Sequence, residues 1–319
     1  MPRGRRRPEP APGGSGTGLH SRSLTLADAP AVLGLANGYD RRFFGEPVLV
    51  LSDVLAQWDA PDLVLTRDTE GWSDGDRLVG YATLDARGVL ELAVDGDWSW
   101  AGLEEILLDR WEGEAERRGL PAVGRYLAAT DEDGADRLLA RGYAPRHTTW
   151  VLTLGPEAAL PERTLPPGYA VRPFAERDAV AVHAVVRDAF AEWGAPERSY
   201  ATWRATVLDR PDVTRGHHRV ATFEGAVVGV ALVVDPDPAG PPDRPEAWVA
   251  QLAVQRGHRG RGLASRVLAE VGRAARDRGT PYLGLSTDSR TGALGLYRRL
   301  GMQVRHTLVR HELDLGEGG

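Results

Sequence analysis

The stretch Ala247-Trp248-Val249-Ala250-Gln251-Leu252-Ala253-Val254, followed by Arg259-Gly260-Arg261-Gly262-Leu263-Ala264, decides the reading of this chain. The first segment is rich in strand formers and predicts a β-strand. After the Arg/Gly run, Leu263, Val267, Leu268, Val271 and Ala275 recur at helical spacing, so a helix is expected from about Leu263 to Arg278. Gly279 and Pro281 end it. A strand, an Arg/Gly loop and a helix start make an anion site. The first turn of a helix offers unpaired N–H groups and the positive end of the dipole. Gly260 and Gly262 lack side chains that would keep a phosphate from the backbone, and Arg259 and Arg261 add charge. The combination reads as a pyrophosphate cradle. A dinucleotide fold is disfavoured, because no acidic residue ends a following strand near Leu285 to hold a ribose.

Working outward, Tyr169–Arg172 predicts a strand, and Asp178 can cap a helix carrying Val182, Val185, Val186 and Ala189. A second helix is expected over Ser199–Leu208. Two β-rich runs, His218–Phe223 and Ala226–Val234, flank Glu224-Gly225 as a hairpin. After the long helix come a strand at Tyr282–Leu285, a short helix capped by Asp288 or Ser289, and a final strand over Val304–Leu315.

The segment before Gly155 repeats this order faintly. Leu26–Asn37 looks helical, Leu63–Arg67 and Leu78–Leu84 look like strands, and Val89–Val94 matches the strand at Ala247–Val254. Helices follow at about Leu103–Arg118 and Gly134–Arg141, and Gly134–Tyr143 aligns with Gly292–Met302. Both segments then end in strand-like runs. The expectation is a duplicated α/β fold in which a mixed sheet is flanked by helices. The expected domains are 22–155 and 169–319, joined by a Pro-rich linker at 156–168 and preceded by a disordered leader at 1–21.

Arg259–Ala264 fits the pattern (Gln/Arg)-x-x-Gly-x-(Gly/Ala), and Leu252-Ala253-Val254 fits the strand before it. In this respect the chain resembles the GNAT superfamily of N-acetyltransferases. The resemblance implies that the loop binds the pyrophosphate of acetyl-CoA and that the backbone of Leu252 and Val254 bonds the pantetheine arm. A second motif of the same family appears as Ala293-Leu294-Gly295-Leu296-Tyr297, then Gly301-Met302. It implies that Tyr297 protonates the leaving thiolate. Tyr297 also belongs to an apolar stripe with Ala293, Leu296 and Leu300, so a core role stays open. Arg290 stands where the motif often opens with Asn, and a contact with a CoA phosphate is a guess for it. Glu246 opens the cofactor strand, where some histone-acetylating relatives carry a general base. It reads equally as an exposed loop glutamate. His183, His217 and His218 are further candidates without positional support.

At the corresponding place the first segment carries Asp95-Gly96-Asp97-Trp98-Ser99-Trp100, and Leu139 stands in the place of Tyr297. Two aspartates would repel a pyrophosphate. Only the second copy is therefore expected to bind acetyl-CoA and catalyse, with Trp98 and Trp100 in core or interface. The tandem arrangement resembles, in architecture, the mycothiol synthase-like acetyltransferases of actinobacteria.

Composition narrows the partners. The net charge is −6, and all 39 basic residues are arginine. This balance argues against nucleic acid. There is no cysteine, which excludes disulfides, thiolate metal sites and a cysteine nucleophile. No apolar run approaches the roughly 20 residues of a membrane span, and no apolar stretch follows the basic first residues as a signal peptide requires. The sequence expectation is a cytoplasmic, metal-free monomer or homodimer. It would transfer the acetyl group of acetyl-CoA to a small-molecule amine. The acceptor would meet the region of Glu192, Trp193, Tyr200 and Trp203, whose chemistry suits a cationic, partly apolar group. A non-catalytic acyl-CoA sensor is the alternative.

Overall fold

A computed structural model describes residues 18–99, 102–158, 160, 164–194, 197–236, 238 and 244–316. Most of the expected leader, and Trp100, lie outside the described residues. The first half runs β1 (His20–Arg22), α1 (Ala29–Phe44), α2 (Leu51–Trp58), α3 (Leu65–Asp68), β2 (Thr69–Asp74), β3 (Arg77–Leu84), β4 (Leu90–Val94), α4 (Gly96–Ser99), α5 (Leu103–Arg117), β5 (Ala122–Ala128), α6 (Glu132–Ala140) and β6 (Ala144–Leu154). The second half runs β7 (Tyr169–Pro173), α7 (Ala179–Ala191), α8 (Tyr200–Trp203), β8 (Arg219–Phe223), β9 (Ala226–Val234), β10 (Glu246–Val254), α9 (Leu263–Asp277), β11 (Tyr282–Asp288), α10 (Leu294–Arg299) and β12 (Gln303–Asp314).

The two halves repeat one plan in detail. Each first long helix is preceded by a 3₁₀ turn, Leu26–Asp28 or Glu176–Asp178. In each, an aspartate accepts a backbone N–H three residues back, from Thr25 or Ala175, at 2.8 Å. The same aspartate takes both arms of an arginine six residues before it, Arg22 or Arg172. Helices α5 and α9 likewise both start after a left-handed glycine, Gly102 or Gly262, each at φ 83°.

Packing follows the periodicities. On α9, Leu263, Val267, Leu268, Val271 and Ala275 are buried against Ala231, Val233, Val249, Leu283 and Leu285 of the sheet. On α7, Val182, Val185, Val186 and Ala189 cover the opposite face with Trp203, Val230 and Leu232. Full burial of each such side chain contributes about 1.5–3 kcal/mol. In the first half α5 and α1 sandwich β3 and β4 in the same manner.

Two sequence expectations change. Leu63–Arg67 is not a strand: Leu65–Asp68 is a helical turn, closed when the Asp68 carboxylate accepts the Val64 N–H at 2.7 Å. The expected helix over Ser199–Leu208 starts as expected, with Ser199 capping Thr202, but continues from Arg204 to Leu208 as a π-helical turn.

The sheets do not divide as the chain does. One four-stranded sheet has the order β1-β2-β3-β4, and an eight-stranded sheet has the order β5-β12-β6-β11-β10-β9-β8-β7. The last strand of each half is inserted into the other half. β6 pairs antiparallel with β11, Leu283 opposite Leu154, and β12 pairs antiparallel with β5, Leu313 opposite Val123. β6 and β12 pair with each other in the middle. The segment 156–168 therefore separates stretches of chain, while the hydrogen-bonded sheet runs across it. Leu160 is buried, and Ala158 and Leu165 are partly buried, against the core of the second half. No helix among the described residues is long and apolar enough to cross a membrane.

Candidate active site

Strand β10 sets the geometry. It pairs in parallel with β11 only from Glu246 opposite Tyr282 to Val249 opposite Leu285. Beyond that point only β9 accompanies it, with a bulge between Val249 and Gln251. The backbone of 250–254 thus borders an open gap between diverging strands. Its groups there need partners that the sheet does not supply. Leu252, Ala253 and Val254, the residues expected to meet pantetheine, occupy this edge and line the cleft.

The Arg/Gly loop follows. His258 anchors it through a 2.8 Å hydrogen bond between its Nδ1 and the Tyr169 hydroxyl. Gly260 and Gly262 both have left-handed backbone, φ 77° and 83°, and a Cβ added at Gly260 meets no protein atom within 4 Å. The amide N–H groups of Gly260, Arg261 and Gly262 have no acceptor among the described residues. Leu263 and Ala264 open α9, where the first-turn N–H groups have no intrahelical partner. The residues present thus fit a phosphate-bearing cosubstrate: adjacent amides without acceptors among the described residues lie at the cleft, beside the gap.

The loop arginines are engaged within the protein. Arg259 donates through Nε to the Val254 carbonyl at 2.9 Å, and its two Nη atoms clasp the Glu192 carboxylate at 2.7 and 3.0 Å. Arg261 donates to the carbonyls of Gly257 and Arg259. Both guanidinium groups brace the loop. Arg290 is similarly committed, to Asp288 at 2.6 Å and to the Trp193 carbonyl.

Tyr297 projects from α10 and lines the cleft, with only 7% of its surface exposed. Burial pushes its phenol up to about 12. The group is therefore protonated at neutral pH and available as a proton donor. Tyr297 belongs to the core cluster and to the cleft wall at once, so its two sequence readings are compatible.

Glu246 opens β10 and lines the cleft. It is not an unattached loop residue: Thr153 Oγ1 of β6 donates to its Oε1 at 2.6 Å, and Arg305 of β12 donates to its Oε2 at 3.1 Å. Gly284 of β11, opposite Trp248, makes room for it. A Cβ at 284 would lie 2.8 Å from the Glu246 carboxyl carbon.

The cleft itself has a volume of about 1720 Å³ and spans both halves. Its floor uses Trp248 of β10, Ser286 of β11, Val151 of β6, Leu308 of β12 and Tyr126 of β5. Its far wall is Pro47–Val50, Ser52 and Asp53 of the first half. The inserted strands are what bring these groups together. None of them was singled out from the sequence, because the signal is strand pairing at long range. Three expected residues lie elsewhere. His183, His217 and His218 do not line the cleft. His218 is fully buried, accepts the Val233 N–H on Nδ1 at 3.0 Å, and is pushed down to about 4 by burial. Among the suggested acceptor residues, Trp193 lines the cleft, Glu192 is engaged by Arg259, and Trp203 is 1% exposed, its Nε1 donating to Gln251.

The first-half counterpart is described up to residue 99 and again from 102. Asp95 pairs with Arg77 at 2.6 Å, and the short helix α4 fills the turn. Trp98 packs on the first-half core, while Leu139 is 48% exposed. Among the described residues no cluster of three or more His, Asp or Glu side chains could hold a metal ion.

Comparison with known proteins agrees with this geometry. Residues 181–302 match the acetyltransferase (GNAT) family. The mycothiol acetyltransferase of Pseudarthrobacter chlorophenolicus is 31% identical over 239 residues, covering 71% of this chain and 72% of that protein. The mycothiol acetyltransferase of Paenarthrobacter aurescens is 33% identical over 102 residues, about a third of each chain. Among solved structures, a GNAT N-acetyltransferase from Sphaerobacter thermophilus superposes with a TM-score of 0.77 at 26% identity, covering 94% of this chain and 97% of its own. A tandem GNAT protein of the clavulanic acid biosynthesis pathway has a TM-score of 0.72 at 17% identity, covering 95% and 100%, and shares the fold.

Proposed function

This chain belongs to the GNAT family of acetyltransferases, and from that premise we propose that its second half moves the acetyl group of acetyl-CoA to the amine of a small molecule. The observation that carries this reading is a coincidence in one cleft. Gly260 and Gly262, whose amides have no partner among the described residues, the open edge of β10 and the protonated phenol of Tyr297 all line one cleft.

The amides of 260–264 hold the pyrophosphate, and the free edge at Leu252–Val254 takes the pantetheine arm as an added strand would. The carbonyl carbon then sits between the diverging strands. The acceptor nitrogen attacks it and gives its proton toward Glu246. The carbon–sulfur bond breaks, and Tyr297 donates its proton to the departing sulfur. Water restores the phenol. General acid help of this kind contributes about 10²–10⁴-fold. The relative named mycothiol acetyltransferase makes the amine precursor of mycothiol the first acceptor to test. The mixed lining, with Trp248, Val151 and Leu308 beside Ser286, Tyr126 and Asp53, suits a small, partly apolar amine.

The reading is tested by steady-state release of free thiol from acetyl-CoA across a panel of amines. Acceptor-dependent release supports it. Tight acetyl-CoA binding with no release for any amine would favour a sensor instead.

A further inference from the structure

Glu46 sits just beyond the left-handed glycine that ends α1, in the first half, and does not line the cleft. It reaches the site through one residue. Arg305 lies where the register of β12 against β6 shifts between Val304 and His306. Its guanidinium is divided between two carboxylates. Nε donates to Glu46 Oε1 at 2.6 Å, and Nη1 donates to Glu246 Oε2 at 3.1 Å. The other partners of Glu46 are Arg244 at 3.5 Å and His306 Nε2 at 3.4 Å. The other partner of Glu246 is the Thr153 hydroxyl. Arg244 in turn lies over the Tyr282 ring. Arg244, His306 and Tyr282 are thus the other charged or titratable groups beside the Glu46–Arg305–Glu246 chain among the described residues.

An arginine facing a lone carboxylate grips it with two parallel hydrogen bonds. Here Glu46 takes the Nε edge, so Arg305 reaches Glu246 with a single arm. Glu46 also offsets part of the guanidinium charge. We propose that Glu46, acting through Arg305, is a positioning residue that leaves the Glu246 carboxylate, at the acceptor end of the cleft, held by one guanidinium arm only and so free to receive the acceptor's proton. The first half then governs the chemistry of the second through this contact as well as through its share of the wall. The inference rests on the reading of Glu246 as the group that receives the acceptor's proton.

The test is the pH dependence of kcat in the full chain, with acetyl-CoA and the best acceptor found. Glu46→Gln frees Arg305 to grip Glu246 with both arms. Its kcat should fall about tenfold, the acidic limb should move to lower pH, and KM for acetyl-CoA should stay within about twofold of the starting value. Arg305→Gln should move the same limb the opposite way, and it provides the test if Glu46→Gln fails to fold. Glu46→Asp, which keeps the charge, should leave the limb in place. A purely structural role would lower the melting temperature and leave the limb unmoved in all variants, and that result overturns the proposal. Glu246→Gln separates the two readings. If it is fully active, the assignment of Glu246 fails. If it is inactive while Glu46→Gln and Arg305→Gln keep the original pH profile, the positioning proposal alone fails.

Discussion

Arg259 and Glu192 form a two-armed ion pair, Nη1 to Oε2 at 2.7 Å and Nη2 to Oε1 at 3.0 Å, that ties the cofactor loop to the end of α7. Together with the bond from Arg259 Nε to the Val254 carbonyl, it fixes the loop against the strand that precedes it. An exposed ion pair contributes little on its own, so the effect of Arg259 lies in bridging Val254 and Glu192 at once. Arg259→Ala should therefore raise KM for acetyl-CoA about tenfold. Glu192→Gln keeps the shape but removes a negative charge near the cradle, so it should leave that KM equal or lower, most visibly at low salt. A tenfold weakening by Glu192→Gln would show that the pair, and not the amides, carries the binding.

Tyr297→Phe removes one oxygen and little volume. The account expects kcat to fall about 100-fold or more, with acetyl-CoA affinity unchanged. Stability gives a second check. The folded phenol is raised above its ordinary value of 10 to about 12, so its contribution is fully present below pH 10, wanes from 10 to 12 and is lost above that. Relative to the starting protein, Tyr297→Phe should become comparatively more stable between pH 10 and 12, by thermal melting at stepped pH. Full activity at neutral pH would return Tyr297 to a packing role alone.

Gly284→Ala probes the acceptor side. Its Cβ would lie 2.7 Å from the Trp248 ring and 2.8 Å from the Glu246 carboxyl carbon, closer than any side chain tolerates. Trp248 and Glu246 must then shift. Acceptor turnover should drop while acetyl-CoA binding, measured by calorimetry, persists. Loss of both would mean that the strain spreads through β11 to the core.

Much of this was legible in the sequence, for local reasons. The apolar spacing from Leu263 to Ala275 and the Gly/Arg loop before it define α9 and the cradle without help from distant residues. Ala226–Val234 is a strand with the bounds its composition suggests. Failures came where tertiary context outweighs pattern. Thr69–Asp74 and Ala122–Ala128 are strands, yet their mixed polar and small residues carry no clear alternation. Leu63–Arg67 looked extended, but Asp68 folds it into a turn. Glu192, the partner of Arg259, is far away in sequence, so the ion pair that braces the loop carries no local signal. Glu46 carried no signal at all: its role depends on the β12 bulge at Arg305, which no local pattern announces.

The exchange of β6 and β12 has a consequence for dissection. Residues 156–319 alone would retain the cradle and Tyr297 but lose β6, leaving the facing edges of β11 and β12 unpaired. Exposed strand edges associate. That fragment should aggregate when expressed alone and become soluble when co-expressed with residues 1–155. A monomeric fragment with a cooperative melt would contradict the observed pairing.

The proposed function requires a single acetyl-CoA site, built on Gly260–Gly262 in the second half. Calorimetric titration of the intact chain with acetyl-CoA, beside Gly262→Glu, tests it most directly. The substitution places a charged side chain at φ 83°, where a non-glycine residue costs about 1–2 kcal/mol, and sets a carboxylate in the cradle. One site per chain is expected in the starting protein, and no measurable binding in Gly262→Glu, whose melting temperature should fall by only a few degrees. Two sites per chain, or undiminished binding in the variant, would contradict it.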